Sequence, residues 1–143
     1  MSTPRAVVVD TNVVVAGVLT ADRSSPTARV LDGMLKARFV FLLSDLLLAE
    51  YRAVLLRSAI RDRHGLAEAE VDELLAEIVR YGIVRHPRRS AENAPDRNDQ
   101  HLWDLVGSEP GSVLVTGDLE LAKDPPAGGQ VLSPREFVRL LDG

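Results

Sequence analysis

The sequence contains no cysteine, which excludes disulfide bonds, thiolate-zinc sites and thiol catalysis. Aromatic residues make up only 4% of the chain, which disfavours an RNA-binding surface that stacks bases on several rings. The formal net charge of −4 also disfavours non-specific duplex binding, which relies on many basic contacts to phosphate. Nucleic acid is still compatible with this charge, because a bound divalent cation can invert the local sign of an acidic pocket.

Long apolar runs are absent as well. The longest, at 13–19, is far shorter than the roughly 20 residues that cross a bilayer, so we expect no membrane span. The first residues, Met1 to Arg5, lack the pattern of a signal peptide, which predicts a cytoplasmic protein. The 143 residues are enough to bury one core, and we expect a single domain over 1–143.

Short β-branched and aliphatic runs alternate with helical patterns along the chain. We predict strands at 5–9, 39–43, 81–84, 112–116 and 130–132, and helices at 26–37, 46–58, 66–80, 99–106 and 134–141. The longest predicted loop covers 86–98, and 125–129 is a second loop. This alternation predicts right-handed crossovers and therefore an α/β fold, a three-layer α/β/α sandwich with a mainly parallel central sheet.

Two predicted strands are followed by a carboxylate. Asp10 comes directly after the strand at 5–9, and Asp118 comes two residues after the strand at 112–116. Parallel pairing brings the carboxyl ends of both strands to the same edge of the sheet, where sites form in open α/β folds. Taken alone, each aspartate is more typical of a cap on the following helix.

Glu50 interrupts an apolar pattern on the predicted helix at 46–58. Its neighbours at i−4, i−3, i+3 and i+4 are Leu46, Leu47, Ala53 and Val54. We therefore expect a carboxylate within a buried stripe, which must be neutralised, ion-paired or bound to a metal. An ion pair with Arg52 or Arg57 is the alternative, although neither stands at helical spacing from Glu50.

Asp99 opens the predicted helix at 99–106, and Asp96 is its close competitor for the same role. Several carboxylates without a dedicated basic partner suit Mg²⁺ or Mn²⁺, which take oxygen ligands and activate water in phosphoryl chemistry. The three histidines, His64, His86 and His101, lack the spacing of a zinc motif, and we interpret them as surface residues.

Four motifs together resemble the PIN-domain ribonucleases over nearly the whole chain. They are the segment 7–12, Ser44 with Glu50, the segment 96–99 and the segment 114–118. The closing segment 132–137 is similar to the end of PIN-family toxin components of toxin–antitoxin systems, of which the VapC toxins are relatives. The resemblance implies a PIN-like fold, an acidic Mg²⁺ or Mn²⁺ pocket and endonucleolytic cleavage of RNA.

The resemblance also implies roles for individual residues. Asp10 and Asp99 would be the principal metal ligands, while Glu50 and Asp118 would hold metal directly or through water. Thr11, Asn12 and Thr116 would orient these carboxylates, although Asn12 is equally typical of a helix cap. Arg97 and Asn98 stand where close relatives often carry acids, so Asp96 is an alternative to Asp99.

The resemblance further implies a homodimer and, for a toxin, a cognate antitoxin. Phosphate contacts could come from the arginines at 85, 88 and 89 or from those at 57, 61 and 63, although such clusters are often only solvated surface.

Three other functions compete with the nuclease. A catalytically silent protein-binding or scaffold module could dock partners through the helix at 66–80. A phosphatase with Asp10 as nucleophile would need a second acid where Asn12 stands. A nucleotide-binding loop would offer backbone amides instead of the carboxylate of Asp10.

Overall fold

The structure, a computed structural model, describes residues 4–89, 93–94, 96–118, 121 and 130–143. Its strands are β1 (Val7–Val9), β2 (Leu42–Leu43), β3 (Ile83–Val84), β4 (Val113–Val115) and β5 (Gln130–Leu132). Its helices are α1 (Thr11–Leu19), α2 (Pro26–Leu35), α3 (Asp45–Leu55), α4 (Ser58–His64), α5 (Glu68–Tyr81), α6 (Gln100–Gly107) and α7 (Pro134–Asp142). A 3-10 turn, Arg97–Asp99, leads into α6. The predicted α/β class is confirmed.

The strands form a parallel sheet in the order β3-β2-β1-β4-β5. β1 pairs with β4 and β4 with β5, while β2 pairs with β3. A parallel bridge between Val7 and Phe41 joins the two groups of strands. β2 and β3 lie on one side of β1, and β4 and β5, which come later in the chain, lie on the other side. The strand order therefore reverses between β1 and β4, which creates a crevice at their carboxyl ends.

Some element boundaries differ from the sequence predictions. The apolar run at 13–19, to which the sequence patterns assigned no element, belongs to α1. The helix predicted at 46–58 ends at Leu55, and a separate helix, α4, follows after Arg57 adopts an extended backbone with φ −60° and ψ 137°. No glycine or proline marks this break, so local sequence offered no signal for it. The predicted loop at 125–129 lies outside the described residues.

The core lies on both faces of the sheet. All three residues of β1 are at most 1% exposed, as expected for a parallel strand covered by helices on both sides. The bulkiest fully buried side chains are Trp103, Tyr51, Phe41, Phe137 and Met34. The ring of Phe39 meets those of Phe41 and Phe137 edge-on, at centroid distances of 6.0 and 4.9 Å. Within the described part of the chain, no helix is both long and apolar enough to cross a membrane.

Glycine allows the two helices that follow β1 to pack closely. A Cβ at Gly17 would lie 2.7 Å from the carbonyl oxygen of Thr27 and 3.0 Å from the Cβ of Leu31. Any larger side chain at this position would push α1 away from α2. At the other end of the chain, Ser133 caps α7 and forms a capping box with Glu136.

Candidate functional site

An open pocket of about 740 Å³ lies at the carboxyl end of the sheet, beside the crevice between β1 and β4. Among the described residues, four carboxylates line it: Asp10, Glu50, Asp99 and Asp118. They come from the end of β1, from α3, from the start of α6 and from the loop after β4. The structure thus brings together all four acidic residues that the sequence singled out.

Asp10 is the most buried of the four carboxylates that line the pocket and is held by hydrogen bonds. It is 6% exposed and caps α1, with its Oδ1 accepting from the backbone N–H of Thr11 at 2.8 Å. Its Oδ2 accepts from the hydroxyl of Thr116 at 2.7 Å and from the Asn12 amide at 3.3 Å. The cap and the pocket carboxylate are therefore one residue, so the two interpretations of Asp10 are compatible.

Glu50 lies outside the buried face of α3. The expectation that it stands within a buried stripe was wrong. Its side chain is 38% exposed, and its neighbour Leu46 is 66% exposed. The buried face of α3 consists instead of Leu47, Tyr51 and Leu55. Glu50 forms no ion pair with Arg52 or Arg57 either, and Arg52 pairs instead with Glu68 and Asp72 of α5.

Two donors hold the Glu50 carboxylate in place. The Thr11 hydroxyl donates to Oε1 at 2.6 Å, and Nε2 of His101 lies 3.0 Å from Oε2. The prediction that His101 is a surface residue was wrong, because its side chain is only 12% exposed. His64 is half-buried and bonds to the Leu55 carbonyl at 2.8 Å, whereas His86 is exposed as predicted.

The turn after β4 places Asp118 in the pocket. The backbone N–H of Asp118 donates to the Thr116 hydroxyl at 3.0 Å, and the N–H of Gly117 donates to Oδ1 of Asn12 at 3.1 Å. The Asn12 amide lies 3.4 Å from the Thr116 hydroxyl. The side chains of Asn12 and Thr116 thus connect the ends of β1 and β4.

Asp99 lines the pocket, and Asp96 does not. Asp96 is exposed and caps the 3-10 turn, with its carboxylate accepting from the backbone N–H of Asn98 at 2.9 Å. Asp99 follows at the end of that turn, where α6 begins. The geometry therefore assigns an ordinary capping role to Asp96 and a place in the pocket to Asp99.

Burial and mutual repulsion raise the pKa of two of the pocket acids, Asp10 and Asp99. Burial raises the pKa of Asp10, and the charges of Glu50 and Asp118 raise it further, although hydrogen bonds from Thr116 and Thr11 act in the opposite direction. Burial is also the largest cause that raises the pKa of Asp99, to about 6, followed by the charge of Asp10. The pocket is therefore a concentration of negative charge that the fold supports at an energetic cost.

Tyr51 is a residue that the sequence analysis missed. Its phenol is fully buried beneath the pocket and donates a hydrogen bond to the carbonyl oxygen of Val9, the residue before Asp10. Burial raises the pKa of Tyr51 well above its usual value, and the nearby charges of Asp10 and Glu50 add to this. Its position one residue after Glu50 was the only available signal.

Two arginines border the acidic pocket. Arg57 directly precedes α4, and Arg63 belongs to it. Both line the pocket together with the four acids. Neither forms an ion pair with another residue in the described ranges. The pocket thus combines an acidic floor with basic side chains at its edge.

The donors fit a hard divalent cation by their chemistry. Carboxylate oxygens are the ligands that Mg²⁺ and Mn²⁺ prefer, and no lysine or arginine in the described part of the chain forms an ion pair with Asp10, Glu50 or Asp99. Within the same residues, no three His, Asp or Glu side chains converge closely enough to hold a metal. The acids therefore surround the pocket without forming a closed coordination shell.

Comparison with known proteins agrees with these observations. A family model described as PIN domain matches residues 6–120, which is most of the chain and includes all four pocket acids. The match ends before β5 and α7. A search of curated proteins found no match.

Proposed function

Since the chain belongs to the PIN-domain family, whose members are generally nucleases, we propose that it is a metal-dependent endoribonuclease that hydrolyses phosphodiester bonds of RNA. The observation that carries this proposal is the gathering of four carboxylates in one open pocket at the reversal of strand order. Burial and the charges of neighbouring acids raise the pKa of Asp10 and Asp99, and a bound cation would offset this negative charge.

In this proposal Asp10 and Asp99 are the principal ligands, and Glu50 and Asp118 hold the ion directly or through water. Bound Mg²⁺, or Mn²⁺, would lower the pKa of a water molecule and stabilise the charge that develops on the phosphate. The chain itself supplies orientation. Hydrogen bonds from Thr116 and Thr11 hold Asp10 at one rotamer, so that its carboxylate need not reorganise when substrate arrives.

We assign the contacts to RNA phosphates to Arg57 and Arg63. Both line the acidic pocket, whereas Arg61 of the same helix lines a different pocket. Among the loop arginines considered from the sequence, Arg85 pairs with Glu109 at 3.1 Å. The guanidinium groups beside the acids would hold the RNA backbone on either side of the bond to be cleaved.

RNA cleavage by the purified protein tests the proposed function. A mixed panel of RNAs is incubated with Mg²⁺, Mn²⁺ or EDTA, alongside Asp10→Asn and Glu50→Gln variants whose folding is verified by circular dichroism. We expect cleavage that requires the metal and is lost in both folded variants. Arg57→Gln and Arg63→Gln should raise KM for RNA, while Arg61→Gln serves as the matched control. Absence of both metal binding and cleavage in the wild type would contradict the proposal.

We also propose that the protein is the toxin component of a type II toxin–antitoxin system, acts in the cytoplasm, forms a homodimer and binds a cognate antitoxin. The support is the similarity of the segment 132–137 to the end of PIN-family toxins. Induced expression in a bacterial host tests this role: the wild type should arrest growth, and Asp10→Asn should not. Normal growth during expression of an active nuclease would contradict the toxin role alone.

A catalytically silent PIN-like binding or scaffold module is the second candidate. The absence of a closed coordination shell among the described residues favours it. Docking through α5, the helix predicted at 66–80, is less favoured. Its apolar residues Val71, Leu75 and Ile78 are already buried in the core. A metal-binding wild type that cleaves RNA would exclude a silent module.

A further inference from the structure

His101 contacts one of the pocket acids, Glu50, without lining the acidic pocket. It stands two residues after Asp99, in the first turn of α6, and its Nε2 lies 3.0 Å from Oε2 of Glu50. Its side chain is 12% exposed, while that of Glu50 is 38% exposed. His101 does not line the acidic pocket itself but a separate, smaller pocket that Ser44 and Asp104 also line.

The surroundings of the imidazole determine which nitrogen carries the proton. Nδ1 of His101 is buried and has no hydrogen-bond partner among the described residues. A proton on Nδ1 would be buried without an acceptor, which is unfavourable, whereas a proton on Nε2 is donated to a carboxylate. The ring therefore presents its N–H to Glu50 and accepts nothing from it.

Glu50 depends on side chains for its orientation in a way that Asp10 does not. Asp10 accepts a hydrogen bond from the backbone N–H of Thr11, whereas both contacts to Glu50 come from the side chains of Thr11 and His101. Glutamate also has one more rotatable bond than aspartate and here has access to solvent. Without His101, one oxygen of Glu50 would lose its partner and the carboxylate could turn away from the pocket.

We infer that His101 is a positioning residue for the acidic pocket: through Nε2 it holds the Glu50 carboxylate in the orientation that a bound divalent cation requires. The inference rests on the proposed function, because it concerns how one of the four acids serves the metal. His101 contacts neither metal nor substrate. It acts only through Glu50, from the same helix turn that supplies Asp99.

Metal binding by variants of His101 tests this inference. Binding of Mn²⁺ alone is measured by calorimetry for the wild type, His101→Leu, His101→Gln and the exposed control His86→Leu, with thermal unfolding recorded without metal. We expect His101→Leu to bind Mn²⁺ about 10–100-fold more weakly, as for other residues that orient metal ligands. His101→Gln should restore most of the affinity because its amide can donate to Glu50, and His86→Leu should match the wild type.

A measurement on the unchanged protein accompanies the variants, in case His101→Leu fails to fold. Ring ¹⁵N signals of labelled histidines are followed while Mg²⁺ is added. The signals of His101 should shift as Glu50 engages the ion, and those of His64 and His86 should stay constant. Tight Mn²⁺ binding by folded His101→Leu, or unshifted His101 signals at saturating Mg²⁺, would overturn the inference while leaving the nuclease intact. A wild type that binds no Mn²⁺ would instead overturn the metal dependence of the proposed function.

Discussion

Thr116 illustrates how much of the pocket depends on a single small side chain. Its hydroxyl donates to Asp10, accepts from the backbone N–H of Asp118 and lies within 3.4 Å of the Asn12 amide. The residue is 4% exposed, so water cannot replace these bonds. One hydroxyl therefore connects the carboxylate of Asp10 with the backbone of Asp118.

Two replacements of Thr116 distinguish the contribution of its hydroxyl from that of its methyl group. We expect Thr116→Val to lower the free energy of unfolding by about 1.5–3 kcal/mol, the range for hydrogen bonds to charged groups, and to lower RNA cleavage. Thr116→Ser keeps the hydroxyl and should retain most of the activity. Urea unfolding and initial cleavage rates measure both effects. A Val variant as stable and active as the wild type would show that the hydroxyl is dispensable.

The titration of Asp99 should be visible in the pH dependence of stability. Its native pKa of about 6 lies above the unfolded value of about 3.9. Between these values the native state holds a proton that the unfolded state has lost, so this contribution is complete at low pH and disappears as the pH rises through 6.

Comparison with Asp99→Asn isolates this contribution. Relative to that variant, the metal-free wild type should become less stable as the pH rises from 4 to 7. Urea unfolding in EDTA at each pH gives the difference. Added Mg²⁺ should reverse the trend by neutralising the repulsion from Asp10. A difference that stays constant with pH would mean that Asp99 titrates normally.

At the scale of secondary-structure elements, two helices end in the left-handed region with different residues. Ala37 has φ 54°, where the N–H of Arg38 donates to the carbonyl oxygen of Gly33 at 2.9 Å and closes α2. Gly65 ends α4 with φ 68°. A side chain at Gly65 would have no neighbour within 4 Å, so backbone strain alone opposes a side chain at this position.

This pair of positions predicts opposite effects. Ala37→Gly should raise the free energy of unfolding by up to about 1 kcal/mol, because the relief of left-handed strain exceeds the entropy lost by glycine. Gly65→Ala should lower it by about 1 kcal/mol for the same reason. Thermal and urea unfolding measure both variants. Changes of the same sign in the two variants would argue against backbone strain as the cause.

The break between α3 and α4 has a consequence for the pocket. A continuous helix over 46–58 would carry Arg57 along the axis of α3. The extended backbone at Arg57 instead lets α4 turn, and both Arg57 and Arg63 then border the pocket. The position of the basic residues is thus a property of how two helices join.

At the scale of the whole molecule, the pocket unites parts of the fold that are distant along the chain. Its acids come from β1, α3, α6 and the loop after β4, on both sides of the strand-order reversal. Metal that binds all four acids would therefore bind only the folded chain and stabilise it as a unit.

Mg²⁺ or Mn²⁺ should accordingly raise the melting temperature. The stabilisation should reach about 2.7 kcal/mol when the free ion is about 100 times its Kd. Asp10→Asn should abolish most of this effect, whereas Asp62→Asn, which changes an exposed acid outside the acidic pocket, should respond like the wild type. Differential scanning calorimetry with metal or EDTA measures the shift. Equal shifts for both variants would indicate surface binding of the ion elsewhere.

Much of the fold and part of the site followed from the sequence. Local hydrophobic patterns predicted the parallel strands, and the position of Asp10 and Asp118 after two of them placed both at one edge of the sheet. This conclusion does not depend on which strands are neighbours, because the carboxyl ends of all parallel strands lie at the same edge of the sheet. Asp99, which the sequence placed at the start of a helix, is the N-cap of α6 and lines the pocket, whereas Asp96 does not.

Tertiary structure decided what surrounds these carboxylates. Thr11 and Glu50 stand 39 positions apart, His101 and Glu50 51 positions apart, and Thr116 and Asp10 106 positions apart. Helical periodicity gives the relative phase of residues within α3, but the exposure of Glu50 and its contact with His101 depend on where α6 packs. Sequence by itself therefore determined the class of fold and the edge of the sheet that carries the acids. Only long-range packing decided how Thr11 and His101 meet Glu50 and how Thr116 meets Asp10, because contacts of this separation are set by the assembly of the layers and not by local propensity.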